Sequence, residues 1–359
     1  MRFSFFGAYD PEYPRNAVIR KGLRANGADV RDVRVAKGLK FWARYPLLAG
    51  RYRGDADIIF VPEFRQKDVP LAALLRRLSN ARLVFDPLAA RFETKIVDWG
   101  RKPPSSPSAW WNRRIDRAAF ALADLILADT TSHKDYYCAE YGLDPAKVDV
   151  LPLGYDDDLF SPAETGSALG EPPRRTFNVL FYGSFLPLHG VEIIVDAAKI
   201  VARQDPSVRF NLIGSGQTFE RARAAASNAT AVEFSGWRPM SEIPRAIAAA
   251  DVCLGIFGRT DKARRVVPHK VFQSLGMRKP VVTARTPAAE EIFRHRETIL
   301  LCDEPLEETL AAAVLELKHD SGLREGIARR GFGLVKECYS AKAIGRMLIS
   351  LVVNRFGTG

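Results

Sequence analysis

The segment RTDKARRVVPHKVFQSLGMRKPVVT, Arg259 to Thr283, places Lys262, Arg264, Arg265 and Lys270 on a loop that runs into a helix. Pro268 stands where a first helical turn tolerates proline. Cationic side chains beside a helix N-terminus suit a diphosphate, because free amide N–H groups and the helix dipole both favour negative charge there. Gln273 lies one turn into the helix, and its amide can donate to and accept from ribose hydroxyls. A run of cations alone reads as a solvated face. Here an apolar strand, KPVVT, follows the helix, so the run sits in a strand–loop–helix–strand context.

Two further segments offer a related geometry. LFYGSFLPLHG (Leu180–Gly190) ends a strand at Tyr182, turns at Gly183 and Ser184, and opens a helix near Gly190. Backbone N–H groups at such a turn suit a phosphate. Its glycines stand seven apart and no GK[ST] follows, so it is neither a dinucleotide fingerprint nor a Walker loop. NLIGSGQ (Asn211–Gln217) puts Gly214 and Gly216 after another strand, where a missing side chain lets a base or ribose approach the backbone. Both segments read equally well as plain structural turns.

The first half carries sparser chemistry. GAYDPEYPRN (Gly7–Asn16) follows the first strand, and Asp10, Arg15 and Asn16 can meet an acceptor or a donor phosphate, or form Asx-type turns. Asp86 closes the strand in LVFDP, where a carboxylate can orient an acceptor hydroxyl, act as a base or cap a helix.

The elements that hold these residues alternate between short apolar runs and helical patterns, the β-α-β rhythm of parallel sheets covered on both faces. Strands are expected at Phe3–Phe6, Val30–Val35, Ile58–Val61, Leu83–Phe85, Leu125–Ala128 and Val148–Leu151. The second half repeats the rhythm at Asn178–Tyr182, Val208–Ile213, Val232–Ser235, Val252–Ile256, Pro280–Thr283 and Ile299–Cys302. A Pro/Gly/Ser/Ala-rich stretch, residues 161–175, reads as a linker between domains at 1–160 and 176–340, and 341–359 as a C-terminal helix that can pack back on the first domain.

Bulk properties narrow the class. The chain has 359 residues and a net charge of +11. Residues 1–53 hold twelve Lys and Arg against four Asp and Glu, a net +8, which attracts anionic partners or simply solvates the surface. No apolar run reaches the roughly 18–20 residues of a membrane span, and MRFSFFGAYD lacks the basic and apolar regions of a signal peptide. Four widely spaced cysteines without a CxxC pair point to a reduced, cytoplasmic chain without structural zinc. In AKGLKFWARYPLLAGRYRG (Ala36–Gly54) and SAWWNRR (Ser108–Arg114), aromatic and cationic residues interleave as they do at a membrane interface, so peripheral attachment to the inner face of an anionic membrane is expected. The alternative is that Trp42, Leu47 and Leu48 fill the first domain's core.

Taken in order, the three glycine and cation segments resemble family-4 glycosyltransferases of the GT-B class. LPLGYDDDLFSP (Leu151–Pro162), SGWRPMSEIPRAIAAADVCLGIF (Ser235–Phe257) and ALADLILADTTSHKDYY (Ala121–Tyr137) extend the resemblance over most of the chain. It implies an α/β GT-B fold: two doubly wound Rossmann-like domains facing across a cleft, with the acceptor side in the first. It also implies a retaining transfer from a nucleotide-diphosphate sugar with no metal or other cofactor, and the aromatic and cationic segments add the expectation of a lipid-linked or polysaccharide acceptor of the cell envelope. Donor contacts would come from Gly183, Ser184, His189, Gly214, Gly216, Pro268, Val271 and Gln273, and catalysis from Arg265, Lys270 and Asp86. The chain departs from the family where two glutamates eight apart are usual: those positions are Arg265 and Gln273, and His189 replaces a lysine. A nucleotide-sugar epimerase or phosphorylase on the same fold is a rival enzyme reading. A basic nucleic-acid-binding module is disfavoured, since no RNP, KH or zinc motif occurs.

Overall fold

The computed structural model describes residues 1–162 and 176–357. Residues 163–175, most of the expected linker, lie outside the described residues. Two compact units result, Met1–Gly154 with Tyr339–Gly359, and Tyr155–Cys338.

In the first unit, strands β1 (Arg2–Gly7), β2 (Asp29–Arg34), β3 (Ile58–Val61), β4 (Arg82–Phe85), β5 (Leu125–Ala128) and β6 (Val148–Val150) form a sheet in the order β2-β1-β3-β4-β5-β6. Every pairing is parallel. Between them run helices α1 (Pro14–Ala25), α2 (Phe41–Arg51), α3 (Val69–Ser79), α4 (Pro107–Leu122) and α5 (Thr131–Tyr141). Apolar strand residues are buried on both faces, as crossover helices require. Phe6, Ile59, Phe85 and Ile126 meet the layer built by α2 to α5 through Leu48, Leu71, Phe120 and Tyr137. Within α5, His133 is fully buried between Asp129 (2.5 Å from Nδ1) and Glu93 (3.0 Å from Nε2). Burial alone would lower this imidazole's pKa, but the two carboxylates raise it to about 9.

The second unit repeats the plan. Strands β7 (Phe177–Tyr182), β8 (Val208–Ile213), β9 (Val232–Gly236), β10 (Val252–Leu254), β11 (Val281–Ala284) and β12 (Leu300–Cys302) form a parallel sheet in the order β12-β11-β10-β7-β8-β9. Its helices are α6 (Val191–Gln204), α7 (Phe219–Ala225), α8 (Ile243–Ala249), α9 (His269–Gly276), α10 (Pro287–Ile292), α11 (Leu306–His319) and α12 (Ser321–Cys338). The unit begins at Tyr155, five residues before the boundary at 160, and the Tyr155 ring packs on Gly276, where a Cβ would sit 2.4 Å from it.

A last helix, α13 (Ala341–Phe356), belongs to the first unit. With α1 it covers the sheet face opposite α2 to α5, joining Ile344 and Leu348 to Val18, Ile19, Phe3 and Phe5. Two glycines set the approach: a Cβ on Gly22 would lie 1.9 Å from the Ala341 carbonyl, and one on Gly345 would lie 2.1 Å from the Gly22 backbone.

The strand orders decide where ligands belong. In a doubly wound sheet, chain progress reverses at one strand, and ligands bind outside the carboxyl ends of the strands there. The reversal lies between β1 and β3 in the first unit and between β7 and β10 in the second.

Candidate functional site

The second unit's reversal point brings together the turn after β7 and the loop after β10. Backbone bonds join them: Phe257 N–H donates to His189 O and Gly258 N–H to Leu188 O, both at 3.1 Å. In the β7 turn, Gly183 N–H donates to Ile213 O and Phe185 N–H to Ser215 O, both at 2.9 Å. These commitments leave the Ser184 amide, on an exposed residue, as the turn's open donor.

Lys270, the second residue of α9, reaches this turn. A Cβ added to Gly183 would sit 2.9 Å from Lys270 Nζ and 3.8 Å from His189 Cε1, and Gly183 has φ +142°, a value glycine alone takes easily. Lys270 is 6% exposed, and its buried ammonium lies 3.8 Å from the centroid of the Phe181 ring without a hydrogen-bond partner. Burial pulls its pKa well below the usual lysine value. The cation–π contact offsets only part of that desolvation. His189, also buried, directs Nδ1 at the Ser184 carbonyl, so that nitrogen carries the proton and donates. Burial and then the Lys270 charge hold this imidazole's pKa well below 6.5, hence neutral. A buried cation without a counter-charge, an open amide and the first turn of a helix form an anion-binding arrangement.

Other expected second-unit residues lie on α9 or on the loop that leads into it. Val271 is buried, facing Gly255, and Pro268 is the N-cap of α9. Arg265 is half-buried on the turn over residues 261–265. Gln273 is buried, and its Oε1 accepts from the Tyr182 hydroxyl at 3.0 Å. That bond helps tie α9 to β7 and leaves the amide nitrogen and the second Oε1 lone pair uncommitted. At Gly214 and Gly216 the missing side chain makes room for the neighbouring turn of the protein: a Cβ on Gly214 would sit 1.9 Å from the Gly183 carbonyl, and one on Gly216 would sit 2.6 Å from the Phe185 carbonyl.

In the first unit, three expected ligand contacts are satisfied internally. Arg15 (1% exposed) and Asp86 (0%) form a buried pair, with Nε–Oδ2 at 2.7 Å and Nη2–Oδ1 at 3.2 Å. Arg15 Nη1 also donates to the carbonyls of Leu151 (3.0 Å) and Pro152 (2.9 Å). Neither an acceptor contact by Arg15 nor base action by Asp86 fits a pair so closed, and both assignments are corrected to structural ones. Asp10 accepts from the Glu12 amide at 3.1 Å in an Asx turn and pairs with Lys37 at 2.9 Å, which lowers its pKa. Asn16 donates to the Asp10 carbonyl at 2.6 Å, while its Oδ1 is buried without a partner.

Beside that orphan lies a residue the sequence reading passed over. Glu63, just past β3, is 3% exposed and has an unpartnered Oε2. Burial raises its pKa to about 8, against a hydrogen bond from Asn16 that lowers it, with the Asp86 charge adding to the rise. An acid immediately after the apolar run IIFVP was the available signal.

Comparison with known proteins bears on the family and the fold. A glycosyl transferase 4-like domain model matches residues 5–154, and a glycosyl transferases group 1 model matches residues 176–320. D-inositol 3-phosphate glycosyltransferase of Rhodococcus jostii is 26% identical over 228 residues, 59% of this chain and 49% of that protein. Mannosylfructose-phosphate synthase of Agrobacterium fabrum is 21% identical over 253 residues, 66% of this chain and 54% of that protein. The chain thus spans about half the length of these curated relatives. HepE of Anabaena, solved with UDP and glucose, superposes with TM-score 0.73 at 16% identity, covering 99% of this chain and 100% of that one. Sucrose-phosphate synthase of Thermosynechococcus elongatus gives 0.73 at 15% identity, covering 100% and 99%. At such identities these structures establish the fold, two Rossmann-like units of the GT-B class.

Proposed function

The chain belongs to the family-4-like glycosyltransferases, and from that premise we propose that it transfers a sugar, with retention, from a nucleoside-diphosphate donor held by the second unit to a lipid-linked or polysaccharide acceptor of the cell envelope. One observation carries the donor half: the buried, unpartnered ammonium of Lys270 against the Gly183 turn. A diphosphate supplies the counter-charge this lysine lacks. As the glycosidic bond breaks, negative charge grows on the leaving phosphate, and a cation fixed there in advance stabilises the transition state more than the ground state. Arg265 adds a second cation, and retention follows from the family resemblance. HepE binds UDP and glucose, which puts UDP-sugars first among donors to try.

A thermal-shift screen of nucleoside diphosphates tests this reading. A ligand at about 100 times its Kd stabilises the folded state by roughly 2.7 kcal/mol. At least one nucleoside diphosphate should raise the melting temperature where its nucleoside does not. If every diphosphate behaves like its nucleoside, the assignment of the turn to phosphate is wrong.

Turnover is expected to need no divalent metal, because Lys270 and Arg265 occupy the electrostatic role a metal would take at the diphosphate. Chelator should leave the rate unchanged; complete loss restored by Mn²⁺ or Mg²⁺ would overturn this.

Peripheral membrane attachment completes the reading. Helix α3 packs against both α2 and α4, so the three form one layer. That layer exposes Phe41, Trp42 and Leu47 from α2, Leu74 and Leu78 from α3, and Trp110 and Trp111 from α4. Leu48 alone of the α2 candidates is buried, so the core-filling alternative holds for it and not for Trp42 or Leu47. Large apolar side chains among Arg51, Arg77 and Arg114 suit an anionic headgroup boundary. Among the described residues, no helix is long and apolar enough to cross a membrane. The protein should co-sediment with anionic but not neutral vesicles, and Trp42→Ser with Trp110→Ser should weaken this. Protein left in the supernatant with anionic vesicles at low salt would exclude it.

A further inference from the structure

We infer that the carboxyl ends of β3 and β4 carry a second anion site, a cluster of Arg44, Arg65, Lys67, Arg91 and Lys95 that takes a phosphate ester or diphosphate of the acceptor. That the bound phosphate belongs to the acceptor rests on the glycosyltransferase reading; the binding of phosphate does not.

The site lies beside the first unit's reversal point. Arg65 and Lys67 follow β3, and Arg91 and Lys95 follow β4, its parallel neighbour. The two loops are pinned side by side: Phe64 N–H donates to Pro87 O at 3.2 Å, and Gln66 Nε2 to Ala89 O at 3.0 Å. Phe64 holds a left-handed φ of 57°, a strained value for an aromatic residue, directly before Arg65. Arg44 joins from α2 through Asp68, Nη2–Oδ1 2.6 Å, and Asp68 also accepts the Ala8 amide at 3.0 Å. Arg65 Nη1 donates to Ala8 O at 2.6 Å, which fixes it next to β1.

The cluster is short of counter-charge. Asp68 is spent on Arg44 and the Ala8 amide. Asp116 accepts from the amides of Arg91 (3.0 Å) and Phe92 (2.8 Å), and Arg91 Nε goes to the neutral Asn112 at 3.1 Å. Glu63, raised to about 8, is mostly uncharged near neutral pH. Lys67 and Lys95 have no side-chain partner among the described residues, and Arg65 Nε is buried without one. Burial lowers Lys67, and the charges of Arg91 and Arg44 lower it further; burial, Arg91 and Lys67 do the same to Lys95. Cations crowded together at a ligand-binding edge are held against mutual repulsion, and a doubly charged anion relieves it. Phosphate fits better than a carboxylate because the loops present several donors from separate directions, enough for three oxygens.

Calorimetric titration of the full chain with inorganic pyrophosphate tests the site. Two classes of binding are expected, one at each unit. Lys67→Ser with Lys95→Ser should weaken one class about tenfold or more and leave the other, while Lys270→Met should do the reverse. Because neither lysine side chain bonds the protein and both add to the repulsion, the double variant should melt no lower than the wild type. Loss of only the class removed by Lys67→Ser with Lys95→Ser, with Lys270→Met silent, would support this site and reject the donor assignment. Pyrophosphate binding indifferent to the double variant would overturn the inference. Glucose 6-phosphate and phosphatidylcholine vesicles doped with phosphatidic acid then separate a soluble from a lipid-borne phosphate. Either one bound more weakly by the double variant supports the site, and neither doing so contradicts it.

Discussion

Lys270→Met should lower sugar transfer by roughly 10²–10³-fold, the usual cost of removing one preorganised charge partner at developing negative charge, while making the free protein more stable. The two effects share a cause. Lys270 is 6% exposed and its ammonium has no hydrogen-bond partner, so folding strips it of water with only the Phe181 ring in partial return. Methionine fills a similar volume without a charge, and removing such an unsatisfied group should gain on the order of 1–3 kcal/mol. The pH dependence has a definite sign. The folded-state pKa is depressed below the ordinary 10.5, so between the two values the unfolded chain binds more protons. Stability must then rise with pH through that window up to the unfolded pKa. Denaturation midpoints of the wild type should climb with pH through that window towards about pH 10 relative to those of Lys270→Met, and a saturating nucleoside diphosphate should flatten the difference. A variant that melts lower than wild type, or transfers sugar at an undiminished rate, would show that Lys270 is a packing residue.

Asp86→Asn should destabilise the first unit by about 3–5 kcal/mol, the range for breaking a buried ion pair from one side. The change leaves the Arg15 guanidinium, 1% exposed, facing a neutral amide. Arg15 ties the start of α1 to Asp86 after β4 and to the carbonyls of Leu151 and Pro152 after β6, so the loss spreads across three segments. Arg15→Met with Asp86→Leu should recover much of the stability, since an apolar pair strands no charge. A base would behave differently: Asp86→Asn would then fold as well as wild type and lose only kcat. That outcome in a melting curve would restore Asp86 to the catalytic role.

The sheets were legible because their chemistry is local. Apolar runs of four to six residues between turn signals place β3 at Ile58–Val61, β5 at Leu125–Ala128 and β8 at Val208–Ile213 where expected. Helix α2 was not read as a helix, since Pro46 interrupts it and its aromatics face outward, so no buried stripe marks it. Helix α4 begins inside the Pro- and Ser-rich stretch RKPPSSPS, whose composition reads as loop; Ser106 starts the helix by accepting the Ala109 amide at 3.2 Å. At the site, Lys270 and Gly183 stand far apart in sequence, and only the strand reversal between β7 and β10 joins them. The closure of Arg15 on Asp86, 71 residues away, has no local signature at all. Nor does the contact of Gly214 with Gly183: glycine after a strand looks the same whether it admits a ribose or another loop.

The account turns on where a diphosphate sits, and a crystal structure of the chain with a bound nucleoside diphosphate measures that directly. The β-phosphate is predicted within about 3 Å of Lys270 Nζ and of the Ser184 amide, over the Gly183 turn, with His189 still donating to the Ser184 carbonyl. A nucleotide bound elsewhere, with the Lys270 ammonium still bare against the Phe181 ring, would contradict it.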